Sequence, residues 1–127
     1  LPDGQLNRSY GCMGGLTRLP VVGKDILIFS NLDTPKPSRE QGTVWASFDG
    51  GVTWPVKRLA NPGASGYSSM NVGRPGTPSE GWIYFMPEAG GAKVARFNLS
   101  WIVQGGEATG DGKVPRWAKS SKENRAK

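Results

Sequence analysis

Short runs rich in β-branched and aromatic residues recur along the chain as far as Trp101, each cut off by Gly, Pro, Asn, Asp or Ser. Seven of these runs are predicted as strands: Gly14 to Leu19, Asp25 to Ser30, Gly42 to Phe48, Trp54 to Ala60, Ser68 to Val72, Trp82 to Met86 and Lys93 to Trp101. No stretch sustains apolar residues at the i, i+3, i+4 spacing of an amphipathic helix. No run approaches the roughly 18 apolar residues of a membrane span, and the start lacks the layout of a signal peptide. The chain begins with Leu1, as a processed or truncated segment would. An all-β fold is the expectation, and four-stranded units of about 45 residues are the spacing of β-propeller blades. On that count the chain holds one complete blade and three strands of the next, leaving sheet edges that more protein would have to cover.

Composition agrees with a turn-rich β domain. Of 127 residues, 19 are Gly and 10 are Pro, and the 36% that are apolar suffice for packed strands but are sparse for a helical bundle.

One turn is unusually well specified. In Ser47-Phe48-Asp49-Gly50-Gly51-Val52-Thr53-Trp54 a strand-type run meets Asp-Gly-Gly, which supplies the positive φ angles of a tight reversal. The Asp49 carboxylate can accept N–H bonds within the turn, Ser47 and Thr53 add hydroxyls, and Trp54 can fold back as an apolar lid. This is the S-x-D-x-G-x-T-W pattern known as the Asp-box. It specifies a hairpin corner and no catalytic carboxylate.

Absences narrow the chemistry. The chain has no His, which excludes a Ser-His-Asp triad and a His-ligated metal within it, and the single Cys12 can form neither an internal disulfide nor a thiolate zinc cage. Cys12 reads as a buried small hydrophobe. Gly11-Cys12-Met13-Gly14-Gly15 lacks the Lys-Ser/Thr ending of a phosphate-binding loop. No cofactor or metal is expected.

The net charge of +6 is unevenly placed. Lys113, Arg116, Lys119, Lys122, Arg125 and Lys127 stand against Glu107, Asp111 and Glu123, so half of the surplus falls after residue 103. Residues 104–127 are therefore expected to be a basic, poorly ordered tail or linker, distinct from a domain at 1–103. With no aromatic ladder beside it, the charge does not call for nucleic acid, and the remaining surplus of three would suit an anionic substrate.

Strand parity groups the loops. In an antiparallel meander successive connections alternate between ends, so the second-to-third strand loop (Asn31 to Gln41), the link Asn61 to Tyr67 and the tip after Met86 share one end. Arg39, Tyr67 and Glu88 are thereby brought to one face, with the Asp-box at the other. The long stretch Gly73 to Gly81 falls on the far face too, with Arg74 and Glu80 as surface charges.

In this order and at this spacing, Ile26-Leu27-Ile28-Phe29-Ser30-Asn31, Ser38-Arg39 before the Asp-box, Trp54-Pro55-Val56, Gly66-Tyr67-Ser68-Ser69 and Phe97-Asn98-Leu99-Ser100-Trp101-Ile102 resemble the C-terminal third of bacterial exo-α-sialidases. These are six-bladed propellers with Asp-boxes, and the resemblance covers roughly residues 8 to 103. It implies that Arg39 is the third of three arginines on the sialic acid carboxylate, where a planar guanidinium makes paired, charge-assisted bonds. It implies that Tyr67 is the nucleophile of a retaining hydrolysis. A carboxylate nucleophile would approach the substrate's own carboxylate against like charge, whereas a phenol approaches neutral and gives its proton to a nearby base. Glu88 is implied to orient an arginine of the triad. The acid/base aspartate, the base beside the tyrosine and two arginines would lie upstream of Leu1, so the chain alone would be inactive.

The implied partners are a sialylated glycoconjugate and the rest of the propeller, with no nucleic acid and no membrane span in this chain, in a secreted or periplasmic protein. Two alternatives remain: a non-catalytic propeller that binds glycans or proteins with the same face, and a basic nucleic-acid module relying on the tail. Asn7-Arg8-Ser9 and Asn98-Leu99-Ser100 fit the N-glycosylation pattern, which a bacterial origin would make irrelevant.

Overall fold

The computed structural model describes residues 1–2, 12–35, 38–88, 91 and 93–120. The strands are β1 (Gly15–Leu19), β2 (Ile26–Leu32), β3 (Glu40–Ser47), β4 (Val56–Ala64), β5 (Ser68–Val72), β6 (Trp82–Pro87), β7 (Ala95–Asn98) and β8 (Glu107–Ala108). Two short helices, α1 (Leu99–Gly105) and α2 (Arg116–Ser120), flank β8. One sheet has the order β1-β2-β3-β4-β8 and the other β5-β6-β7, with all ladders antiparallel. Neither closes on itself.

Each of the seven expected strands is present, and most ends shift by one or two residues. β4 departs further, running on to Ala64. The larger correction is at the last run. After β7 the chain turns into a helix because the Asn98 side chain accepts the N–H of Trp101 at 2.9 Å and caps its first turn. Leu99 and Ile102 then fall three apart on one buried side. Arg58 from β4 fixes the helix by donating to the Trp101 carbonyl at 2.6 Å while its guanidinium lies 3.8 Å from the centre of the Trp101 ring. The Asn98 amide of the second sequon is thus engaged in capping; Asn7 of the first lies outside the described residues.

The main core lies between the two sheets. Ile26, Ile28, Val44, Ala46 and Val56 from one meet Ile83, Phe85 and Phe97 from the other, with Leu99 and Ile102 closing one side. Phe29, Trp45 and Trp54 form a second cluster with Leu27 on the opposite face of the larger sheet. β3 is buried from Gly42 to Ser47 because both of its faces are covered.

Polar contacts join the sheets along a close seam. The Ser30 and Ser68 hydroxyls lie 2.8 Å apart, Gly15 N–H donates to Ser30 Oγ at 3.0 Å, and Ser68 N–H donates to the Met13 carbonyl at 3.0 Å. A Cβ on Gly15 would come within 3.0 Å of Met70 N, so glycine is what lets β5 approach β1. The seam fixes where β5 starts, and Tyr67 is the residue before it. Cys12, expected to be buried, is half-buried at the entry to β1.

The segment after residue 103 differs from the expected solvated tail. β8 pairs with β4 through Val56–Ala108 and Lys57–Glu107. Val114 and Trp117 pack on the main core, and Ala118 is 2% exposed. The apolar side chains of this stretch outweigh its basic composition as far as residue 120; Lys122, Arg125 and Lys127 lie outside the described residues.

Candidate functional site

Arg39 ends the β2–β3 loop, Tyr67 ends the β4–β5 link and Glu88 follows β6, so the three share one end of the sheets. The Arg39 guanidinium stands 5.4 Å from the centroid of the Tyr67 ring. The backbones beneath them are also tied: Ser65 N–H donates to the Arg39 carbonyl at 3.0 Å, and Glu88 N–H donates to the Tyr67 carbonyl at 2.8 Å. The Glu88 carboxylate lies over Gly66, where any Cβ would collide with its Oε1. Tyr67 is 48% exposed, so a ligand can reach the ring. Arg39 and Glu88 are exposed.

Residues not singled out from the sequence complete this end. Asn61 is buried, donates from Nδ2 to the Ala64 carbonyl at 3.2 Å, and accepts from Lys93 Nζ at 3.5 Å. Ser65 is 4% exposed, and its Oγ has no hydrogen-bond partner among the described residues. Glu40 accepts from Ser38 Oγ at 2.9 Å and from Thr34 Oγ1 at 3.3 Å, which orders the loop that presents Arg39. Nothing in the sequence pattern marked these positions, because each is a common polar residue whose role depends on the folded course of the loops around it. Together they form an open cluster bearing two cations, two carboxylates and a phenol. It can bind an anion and present a hydroxyl.

The 47–54 hairpin lies at the opposite end, beside the β1–β2 turn, where Gly50 N–H donates to the Asp25 carbonyl at 3.3 Å. Asp49 Oδ1 accepts from Thr53 N–H at 2.9 Å and from Ser47 Oγ at 2.8 Å, and Oδ2 accepts from Thr53 Oγ1 at 2.7 Å. These bonds hold its carboxyl below the ordinary carboxylate pKa, the Thr53 N–H contributing most and the Thr53 hydroxyl next. Gly50 and Gly51 take φ of 70° and 95°, as the turn requires. Trp54 folds back, donating from Nε1 to the Gly51 carbonyl at 3.2 Å. The carboxylate is fully used by the turn.

A cavity of about 710 Å³ also opens at this far end, between the β1–β2 turn, the 73–81 loop and α2. Leu19, Val21, Pro75, Leu99 and Trp117 give it mainly apolar walls, and it includes none of Arg39, Tyr67 or Glu88. Arg74 is exposed, whereas Glu80 is half-buried and closes the loop by accepting from Gly76 N–H at 2.7 Å.

Fold and cluster define an all-β protein that presents an arginine and a tyrosine together at one end of its sheets. No family profile matches the chain. It is 41% identical over 78 residues to a sialidase of Micromonospora viridifaciens, an alignment that takes in 61% of this chain and 11% of that protein. Among solved structures it is similar to a Hadza microbial sialidase, with 35% identity and a TM-score of 0.59 over 72% of this chain and 18% of the other. The resemblance read from the sequence thus holds in sequence and in three dimensions, as a resemblance to a portion of a sialidase.

Proposed function

We propose that this chain is the C-terminal part of the catalytic propeller of a retaining exo-α-sialidase. In this reading the two sheets are one blade and three strands of the next in a six-bladed ring. The observation that carries it is the Arg39 guanidinium beside the Tyr67 ring at the end of the sheets away from the 47–54 hairpin. Arg39 takes the sialic acid carboxylate. Tyr67 Oη bonds to the anomeric carbon as the bond to the leaving oxygen breaks, its proton passing to a base and the leaving group receiving one from an acid. Water then releases sialic acid and restores the phenol. Glu88, held to the Tyr67 carbonyl, orients an arginine.

Acid, base and the other arginines belong to the remainder of the parent protein, which leaves the isolated chain inactive. The parent is secreted or periplasmic and its substrate is a sialylated glycoconjugate. Among the described residues no helix is long and apolar enough to cross a membrane. A fluorogenic sialoside assay on the intact parent tests the reading. Turnover supports it, and sialoside binding without turnover would instead leave a glycan-binding propeller.

A further inference from the structure

Gln41 is the single non-glycine residue with positive φ among the described residues, at 64°. A residue with a Cβ adopts this conformation at a cost and keeps it only where its surroundings hold it. Three bonds do so here. The Gln41 carbonyl accepts Asp33 N–H at 3.0 Å and Thr43 Oγ1 at 3.0 Å, and its side-chain Oε1 accepts Gly63 N–H at 2.9 Å.

The ladder is irregular at the same point. Glu40 pairs with Ala64 and Thr43 with Leu59, so four residues of β3 face six of β4, and the extra residues bend β4 across the start of β3. Gly42 permits that crossing, since a Cβ there would lie 2.7 Å from Ser65 Oγ and 3.2 Å from Asn61 Cβ. Ser65 N–H thereby reaches the Arg39 carbonyl, and Tyr67, two residues on, comes beneath the guanidinium.

We propose, resting on the sialidase reading above, that Gln41 is a positioning residue: through Gly63 it clamps the end of β4, which leads into Tyr67, to the start of β3, which follows Arg39, and so fixes the separation of nucleophile and carboxylate anchor. The left-handed backbone turns the side chain toward Gly63, and the amide oxygen completes the clamp. Bulges and strained residues gather at sites whose geometry must be held, and this one lies two residues from Arg39.

The test uses the intact parent protein with Gln41→Met, which keeps the length of the side chain and removes the acceptor, and Gln41→Glu, which restores it. Tyrosine rings are labelled with carbon-13, and the Tyr67 signal is assigned by its loss in Tyr67→Phe. In Gln41→Met the Tyr67 ring signals should move toward their positions in Arg39→Ala. kcat/KM for a sialoside should fall about three- to tenfold, the range one neutral hydrogen bond supports, with kcat sharing in the loss because the nucleophile shifts relative to the anchor. Gln41→Glu should return both to wild-type values. Unmoved Tyr67 signals, or a lower melting temperature with unchanged kcat/KM, would overturn the assignment. If Gln41→Met does not fold, Gln41→Gly, which takes the backbone conformation freely, gives the same readouts. Absence of sialoside turnover in the wild type removes the sialidase reading, and the ring signals then decide the clamp by themselves.

Discussion

The Arg39 guanidinium lies over the Tyr67 ring at 5.4 Å from its centroid, although the two are carried by loops on different strands. If Arg39 binds the substrate carboxylate, Arg39→Ala removes a paired, charge-assisted contact of about 1.5–3 kcal/mol. Affinity of the intact protein for a sialic acid analogue should fall roughly tenfold to more than a hundredfold by calorimetry. Arg39→Lys should recover only part of it, since an ammonium keeps the charge and loses the fork. Unchanged affinity in both variants would take the carboxylate role from Arg39.

Tyr67→Phe deletes the oxygen assigned as nucleophile and leaves the ring on which Arg39 rests. Folding should therefore be preserved while kcat of the intact enzyme falls by about three orders of magnitude or more. The check is steady-state hydrolysis of a fluorogenic sialoside beside a melting curve. Undiminished release of sialic acid would end the assignment.

The gathering of Arg39, Tyr67 and Glu88 was legible from the sequence because turn residues punctuate it sharply and each antiparallel connection changes ends. The Asp-Gly-Gly reversal fixed the register from which the other loops could be counted. What was not legible depends on partners distant in the chain. Leu99 to Trp101 read as strand until the Asn98 side chain is seen to accept from Trp101 N–H, and Asp111 is 57 residues from the Trp54 N–H that it accepts. The β4 bulge is equally silent, since its extra residues look like an ordinary Asn61-Pro62-Gly63 link. Trp117 was the available hint that the segment after residue 103 packs, and the surrounding charge outvoted it.

Gly66→Ala is a sharper probe of Glu88 than replacing the glutamate. Gly66 does not have positive φ, so alanine suits its backbone, but the new Cβ would collide with the Glu88 carboxylate. Because the colliding atom ends a flexible side chain, the stability change should be small, within about 1 kcal/mol. If Glu88 orients an arginine of a sialidase site, activity of the intact protein should nonetheless fall as the carboxylate is displaced from its place over Gly66. Equal kcat/KM in wild type and variant would show that the position of Glu88 does not matter to the reaction.

Asp49 predicts how the hairpin responds to acid. Its pKa is lowered in the folded chain, first by the Thr53 N–H and then by the Thr53 hydroxyl. The unfolded state therefore takes up a proton first as pH falls. Stability from Asp49 is complete above the unfolded carboxyl pKa of about 4 and is lost as pH drops through the lower folded value. Asp49→Asn keeps one acceptor oxygen and has no proton to gain. It should melt lower than wild type at neutral pH and lose less on acidification from about pH 5 to pH 2. Parallel melting curves across that range would mean that the turn does not depend on the charge.

The clasp formed by residues 109–112 makes the hairpin's stability depend on the segment after α1. Asp111 Oδ2 accepts the N–H of buried Trp54 at 2.9 Å, while Thr109 donates its hydroxyl to the Trp54 carbonyl at 2.6 Å and its N–H to the Pro55 carbonyl at 3.1 Å. Asp111→Ala leaves the Trp54 N–H without that acceptor, a loss of about 1–3 kcal/mol where water cannot replace it. Thr109→Val should cost about 1 kcal/mol, and the double variant should fall short of the sum because both act on one residue. Denaturant unfolding monitored by tryptophan fluorescence measures all three. Sialoside KM of the intact enzyme should stay unchanged, since the clasp lies at the end opposite Arg39 and Tyr67; a shift in KM would mean that the two ends are coupled through β3 and β4.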